Sequence, residues 1–169
     1  MSWGIKQING QSYDLSHLDP FVMTVTPKAV PPVEYNVLVT FGCHTFTRKW
    51  TDDDPICLRF EHNLEVRCFC EHRCELSMRL PDIVRSAATG RVHFSQYGNY
   101  LIVRDIPGLN GPYVCFFNVT RARSEIFDAI MVVDSAYVKP ELPNNLDAVH
   151  LSTLVMKTVR GERLPRKRK

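Results

Sequence analysis

Residues 33–41 limit the fold of this chain more than any other stretch, because apolar and polar side chains alternate along it. The first set, which would face one side, is Val33, Tyr35, Val37, Val39 and Phe41, and the second is Glu34, Asn36, Leu38 and Thr40. A period of two predicts a β-strand with one buried face, as in an antiparallel sheet. Gly42 follows directly and is a candidate position for a bulge.

Similar but weaker patterns predict further strands on both sides of this one. They cover residues 3–8, 11–15, 21–26, 43–50, 56–60, 66–70, 92–94, 100–106, 113–119 and 129–138.

Residues 80–89 predict one clear helix, because their apolar side chains recur at helical spacing and Pro81 suits a first turn. Residues 149–159 fit a helix or a strand equally. The fold class predicted is α+β, a mainly antiparallel curved sheet with one clear helix and an undecided second helix near the C-terminus.

Composition is ordinary for a single folded domain, with 44% hydrophobic and 23% charged residues in a chain of 169. No run approaches the roughly eighteen apolar residues of a membrane span, and the first residues lack the pattern of a signal peptide. We therefore expect one domain over residues 1–159, no membrane association and a cytoplasmic location. The sequence leaves the oligomeric state open.

Positive charge is concentrated at the C-terminus. Residues 160–169 contain six basic residues and one acidic residue, a net charge of +5, whereas the whole chain carries +3 and residues 1–159 therefore carry −2. This tail is predicted to be disordered and basic. Because the body is not basic, overall charge is a weak argument for nucleic-acid binding.

Residues 67–81 concentrate the reactive side chains. Four potential zinc ligands lie within seven residues there, namely Cys68, Cys70, His72 and Cys74. On a continuous strand they would spread over roughly 20 Å, and on a helix they would form two pairs that point in different directions. Buried thiols are therefore favoured over a zinc site, and no cofactor is predicted. A nucleophilic cysteine with His44 or His72 as its base is a further alternative, without a local signature.

An anion-directed or RNA-directed site is the functional hypothesis that the residues favour most. Its candidate catalytic residues are His44, Arg67, Arg73, Ser77, Tyr100 and Tyr137, with Tyr97 and Tyr113 as further aromatic residues able to stack on bases. Arginine, tyrosine and histidine can support metal-independent acid–base cleavage of RNA. The structural alternative is that the arginines pair with neighbouring carboxylates and the tyrosines pack against the sheet.

Short motifs carry a family resemblance along most of the body. They are His44-Thr-Phe-Thr, Arg67-x-Phe, Leu76-Ser-x-x-Leu-Pro81, Asn99-Tyr-Leu101 and Ser135-Ala-Tyr137. In this order they resemble short bacterial proteins known as stationary phase growth adaptation proteins. That resemblance implies a stress-linked role and no established reaction. The layout is more loosely similar to that of ribosome-dependent RNase toxins of the RelE type, which are smaller and basic throughout.

Two functional hypotheses follow. The first is a small bacterial stress-related protein that binds or cleaves RNA, free or on the ribosome. The second is a non-enzymatic stress-adaptation protein that binds a protein partner through its sheet edge or tail. Convergence of His44, Arg73 and Tyr137 in one cleft would favour an active site, and their dispersal would favour a binding protein.

Overall fold

The computed structural model describes residues 2–95, 99–143 and 146–164. They form one α+β domain with a curled sheet, as the sequence predicts. The sheet is mixed and there are three helices, whereas the sequence predicts one clear helix and leaves a second undecided. Within these residues the strands are β1 (Ile5–Ile8), β2 (Gln11–Asp14), β3 (Phe21–Val25), β4 (Tyr35–His44), β5 (Thr47–Lys49), β6 (Arg59–His62), β7 (Glu65–Phe69), β8 (Arg91–Phe94), β9 (Tyr100–Arg104), β10 (Tyr113–Arg121), β11 (Ala129–Val138) and β12 (Ala148–His150). The helices are α1 (Glu71–Ser77), α2 (Leu80–Ala87) and α3 (Leu151–Arg160).

The main sheet has seven strands in the order β12-β8-β9-β10-β11-β4-β3. Every neighbouring pair in it is antiparallel except β11 with β4, which run parallel. The remaining strands form a separate sheet of order β5-β7-β6 and the N-terminal hairpin β1-β2. The mainly antiparallel arrangement is therefore confirmed, and β4 lies between β11 and the edge strand β3.

Strand β4 has the burial pattern that its alternation predicts. Tyr35, Val37, Val39, Phe41 and Cys43 are buried, while the residues between them are half-buried or exposed. The chain then turns through Thr45 and Phe46, whose backbone N–H groups donate to Gly42 and Cys43, before β5 begins. Residues 43–50 were predicted as one strand. In the structure, residues 43 and 44 end β4, and β5 follows only after the turn.

Helix α2 confirms the helix predicted at 80–89, and Pro81 lies in its first turn. Helix α1, which the sequence reading did not anticipate, begins after Cys70 and buries Cys74, Leu76 and Ser77. It is hidden in the sequence because its seven residues give too few turns for a clear helical period. The ambiguous segment near the C-terminus is the helix α3.

Gly161 ends α3 in the left-handed conformation, with φ of 70°. Leu164 is partly buried and packs against the main core, so ordered contacts continue a few residues into the predicted tail. Residues 165–169 of that tail lie outside the described residues. The longest helix that the structure describes has ten residues, and none of the described helices is long and apolar enough to cross a membrane.

Candidate functional site

A β-bulge interrupts the pairing of β4 with β11. Phe41 lies opposite Val133 and His44 lies opposite Ser135, so Gly42 and Cys43 together face Asp134 alone. A Cβ atom on Gly42 would lie 3.0 Å from the carbonyl oxygen of Asp134, which is closer than a side chain normally approaches. Glycine therefore permits the bulge, and bulges commonly redirect side chains beside functional sites.

A tight hairpin brings a second segment to the bulge. Asn63 and Leu64 have φ of 48° and 66°, the signs required by the two-residue turn that best fits the twist of a hairpin. This turn pairs His62 with Glu65 across β6 and β7. The carboxylate of Glu65 is thereby fixed at the turn end of β7.

Glu65 binds a histidine and an arginine at once. Its Oε2 lies 2.9 Å from Nε2 of His44, and its Oε1 accepts a hydrogen bond of 2.9 Å from Arg67. Hydrogen bonds from His44 and then from Arg67 lower the pKa of Glu65, although its partial burial opposes this shift. Because a carboxylate can only accept, the shared hydrogen is on Nε2, which leaves Nδ1 of neutral His44 as the basic nitrogen.

Arg67 is itself fixed from its other side. Its guanidinium Nε donates to Oγ1 of Thr47 over 3.1 Å, and the Thr47 hydroxyl donates to the carbonyl of Cys43 over 2.7 Å. Arg67 is buried, with 8% of its surface exposed. Its cation therefore positions Glu65 and compensates that charge, and it is not available to solvent as a free anion-binding group.

His44 and Glu65 border a cavity of about 390 Å³. It is lined by Trp3, Thr40, Phe41, Gly42, Cys43, His44, His62, Asn63, Glu65 and Asp134. Burial raises the pKa of Asp134, while a hydrogen bond of 2.8 Å from the Asn118 amide and the nearby His44 partly offset that rise. The cavity thus contains an oriented imidazole and a carboxyl group that retains its proton to higher pH than usual.

Trp3 forms part of the cavity wall from outside the sheets. Its indole N–H donates to the carbonyl of Phe41 over 3.0 Å, and its ring lies 4.9 Å from that of His62. Neither Trp3 nor Asp134 was a candidate from sequence. Trp3 reaches the site through contacts with residues distant in sequence, namely Phe41, Phe46 and His62. Asp134 lies in the apolar run 129–138, which indicated a fully buried strand and gave no functional signal.

Cys43 completes a compact group of potential metal ligands. One ligand atom each from Cys43, His44 and Glu65 lies within 4.8 Å of the others, and this is the one such group of three or more among the described residues. Burial, and then the charge of Glu65, raise the pKa of the Cys43 thiol. The structure therefore gathers metal-ligating side chains from β4 and β7.

The four ligands considered from the sequence do not come together in this way. Cys68 is buried in β7, where its thiol donates to the carbonyl of Phe69 over 3.4 Å. Cys74 is a buried residue of α1, and burial raises the pKa of its thiol to about 11. His72 is exposed and Cys70 half-buried, at and just before the start of α1.

Arg73 and Tyr137 contact each other, and Arg73 binds the backbone at the end of β4. Arg73 Nη1 donates to the carbonyls of His44 and Thr47 over 3.2 and 2.7 Å, and its guanidinium lies 5.0 Å from the centroid of the Tyr137 ring. Burial lowers the pKa of Arg73. His44, Arg67, Arg73 and Tyr137 are thus brought together, but of these four only His44 lines the cavity.

The other two candidate residues lie in different surroundings. Ser77 is fully buried, its hydroxyl donates to the carbonyl of Cys74 over 2.6 Å, and it lies 2.7 Å from Nε2 of His17. Tyr100 packs against the rings of Phe94 and Phe117, with centroids 5.5 and 5.6 Å away.

Of the further aromatic residues, Tyr113 is buried, its hydroxyl has no hydrogen-bond partner among the described residues, and burial strongly raises its pKa. Tyr97 lies outside the described residues. The aromatic side chains therefore do not form one stacking surface beside the cavity in the part of the chain that is described.

Comparison with known proteins places the fold and the cavity in a family context. Residues 5–159 match the YjaZ family. The chain belongs to the YjaZ family. It is 28% identical to Protein YjaZ of Escherichia coli (strain K12) over 164 residues, which cover 93% of this chain and 90% of that protein. No solved structure matches the chain. The matched residues include the whole cavity except Trp3, so the described site lies within the part that defines family membership.

Proposed function

We propose that this chain cleaves RNA at the cavity beside β4, using acid–base chemistry that needs no metal ion. One observation carries the proposal: His44 is held by Glu65 over 2.9 Å in a cavity that Asp134 also lines. A base and an acid in one cavity can catalyse the attack of the RNA 2′-oxygen on the adjacent phosphorus, because one removes the 2′-hydroxyl proton and the other protonates the departing 5′-oxygen.

In the proposed reaction, Nδ1 of His44 takes the proton of the 2′-hydroxyl, and the 2′-oxygen forms a bond to phosphorus. The bond from phosphorus to the 5′-oxygen breaks, and that oxygen takes the proton of Asp134. The products are a 2′,3′-cyclic phosphate and a 5′-hydroxyl. Glu65 keeps His44 in the tautomer with a free Nδ1, and Arg67 keeps Glu65 in place.

The remaining candidate residues have supporting roles in this proposal. Arg73, held over Tyr137, binds the carbonyl of His44 and fixes the end of β4. His62 and Asn63 line the cavity and supply donors for a phosphate oxygen. The positive tail would add attraction to RNA that weakens with salt. Ser77 and Tyr100 have no role in the reaction.

The test measures cleavage of a short single-stranded RNA by the purified chain in the presence of a chelator. His44→Ala is expected to lower the rate about 10²–10⁴-fold, whereas His72→Ala, at an exposed position on α1, leaves it unchanged. A 2′-deoxy substitution at the cleaved position should block the reaction. Equal cleavage by His44→Ala and the unsubstituted chain, or no cleavage of any RNA tested, would overturn the proposal.

A non-enzymatic stress-adaptation role remains the second candidate, and the edge strand β3 favours it. Among the described strands β3 pairs with β4 alone, and Val22 is half exposed on it. Such an edge can accept a strand of a protein partner. Recovery from stationary phase in a strain lacking this protein separates the candidates. Rescue lost with Val22→Lys but retained with His44→Ala supports the binding role, and the opposite pattern supports the enzyme.

A further inference from the structure

We infer that Cys43, His44 and Glu65 form a binding site for a divalent transition-metal ion, with zinc as the best fit. This inference goes beyond the proposed RNA reaction and does not depend on it. Thiolate, imidazole and carboxylate are all zinc ligands, and three protein ligands with a fourth position open to water are typical of a reactive zinc site. The thiolate and imidazole disfavour Mg²⁺ and Ca²⁺, which prefer oxygen ligands alone.

The present distances are close to those of a tetrahedral site. Around a zinc ion with ordinary bond lengths, the ligand atoms stand about 3.4–3.6 Å apart. Here the His44 and Glu65 atoms are 2.9 Å apart, and all three ligand atoms lie within 4.8 Å of one another. Movements on the order of 1 Å would therefore bring the ligand atoms to coordination distance.

The backbone supplies these three ligands from two rigid features. The bulge at Gly42 places Cys43 and His44 beside the cavity, and the two-residue turn after His62 fixes Glu65. Because ligands that are already in place lose little freedom when an ion binds, this positioning reduces the ordering cost of binding.

The surrounding groups also match a metal site. Arg67 binds one oxygen of Glu65 and leaves the other directed at His44, and hydrogen bonds of this kind orient a metal-binding carboxylate. Asp134 lines the same cavity and could contact a water molecule in the fourth position. Binding a divalent ion releases the Cys43 proton, so the Cys43 and Glu65 charges neutralise the ion.

Metal binding and the proposed RNA reaction exclude one another. An ion bound at Nδ1 of His44 occupies the base directly, and an ion bound at Nε2 shifts the remaining ring hydrogen to Nδ1. In either case Nδ1 no longer accepts a proton. Zinc is therefore an inhibitor of the RNA reaction at this site.

The test begins with metal-free protein and measures zinc binding by titration calorimetry and Co²⁺ binding by absorption. We expect one ion per chain and a thiolate-to-cobalt charge-transfer band. Cys43→Ser should abolish the band, and Arg67→Met should weaken zinc binding about 10–100-fold. His44→Gln and Glu65→Gln should each weaken it further; both side chains are partly exposed, so these variants are expected to fold.

The matched control is the double substitution Cys70→Ser with His72→Gln, which removes two of the ligands considered from the sequence and should retain full binding. Less than about half an ion per chain in the unsubstituted protein, or equal losses in the control and in His44→Gln, would overturn the inference. RNA cleavage is measured separately in chelator. Zinc binding without cleavage would therefore reject the proposed function alone, and cleavage without zinc binding would reject the metal site alone.

Discussion

Nε2 of His44 lies 2.9 Å from Oε2 of Glu65, although 20 residues and two short strands separate the two in sequence. The contact depends on a bulge in β4 and on a tight turn before β7. His44 and Glu65 share a hydrogen in this arrangement. In the metal site inferred above, a metal ion would lie between them in place of that hydrogen. Features of the backbone at Gly42 and Leu64 therefore decide the chemistry available at the cavity.

Removal of Arg67 is expected to destabilise the chain and release Glu65. Arg67 is buried and makes hydrogen bonds to Glu65 and Thr47, and bonds to charged groups contribute about 1.5–3 kcal/mol each when both partners are shielded. Because Glu65 is half exposed, Arg67→Met should lower the free energy of unfolding by about 1–2 kcal/mol.

Urea denaturation measures this loss, and Arg59→Met is the matched control. Arg59 pairs with Glu61 in an exposed position, where an ion pair contributes about 0–1 kcal/mol. Equal effects of the two substitutions would show that the Arg67 contacts with Glu65 and Thr47 do not stabilise the fold.

Gly42→Ala should damage the site through the backbone. The added Cβ would lie 3.0 Å from the Asp134 carbonyl oxygen, so β4 and β11 must separate or the bulge must change. We expect a loss of about 1–3 kcal/mol in unfolding free energy. Gly90→Ala is the control, since its Cβ would meet nothing closer than 3.5 Å and its φ is not positive; an equal loss there would contradict the prediction.

The sequence predicts the sheet well because its strands follow a local pattern. Alternation in β4 and the apolar run of β11 predicted both strands of the parallel pair, and Pro81 indicated the first turn of α2. Gly161 was assigned to a disordered tail, yet a glycine after an apolar helical period is the usual sign of a helix end. It would have decided that the segment 149–159 forms a helix.

The candidate site was only partly predictable, because its contacts are long-range. His44 and Arg67 were candidates from their residue types, but nothing local showed that Glu65 would lie between them. Trp3 reaches the cavity through its contacts with Phe41 and His62, and Asp134 reaches it through the register of β11. Ser77 was a candidate as part of an anion site before α2, whereas helix α1 turns it inward toward His17.

His17 should make stability depend on pH. Its Nε2 donates to the Ser77 hydroxyl, and its Nδ1 is buried without a hydrogen-bond partner among the described residues. Burial lowers the pKa of His17 below its ordinary value of 6.5, although the nearby Asp14 partly opposes this. Protonation therefore favours the unfolded chain. The stability it contributes is complete above about pH 6.5 and is lost as the pH falls below that value.

The measurement compares urea midpoints at about pH 7.5 and pH 5.5. His17→Gln should reduce the fall in midpoint between the two pH values, whereas His72→Gln, at an exposed position, should not. A fall that persists unchanged in His17→Gln would assign the pH dependence to other groups.

Leu64→Gly is expected to stabilise the chain, although it removes a large apolar side chain. Leu64 is fully exposed and has φ of 66°, a left-handed conformation that costs a residue with a side chain about 1 kcal/mol or more. Glycine avoids that cost, but it also makes the unfolded chain more flexible. The net gain should be about 0.5–1 kcal/mol in the free energy of unfolding.

Ile56→Gly is the matched control at an exposed position without positive φ, and it should destabilise. Leu64 directly precedes Glu65, and glycine readily adopts the same turn conformation. Leu64→Gly should therefore leave zinc binding intact. A destabilised Leu64→Gly variant would show that the turn does not carry this strain.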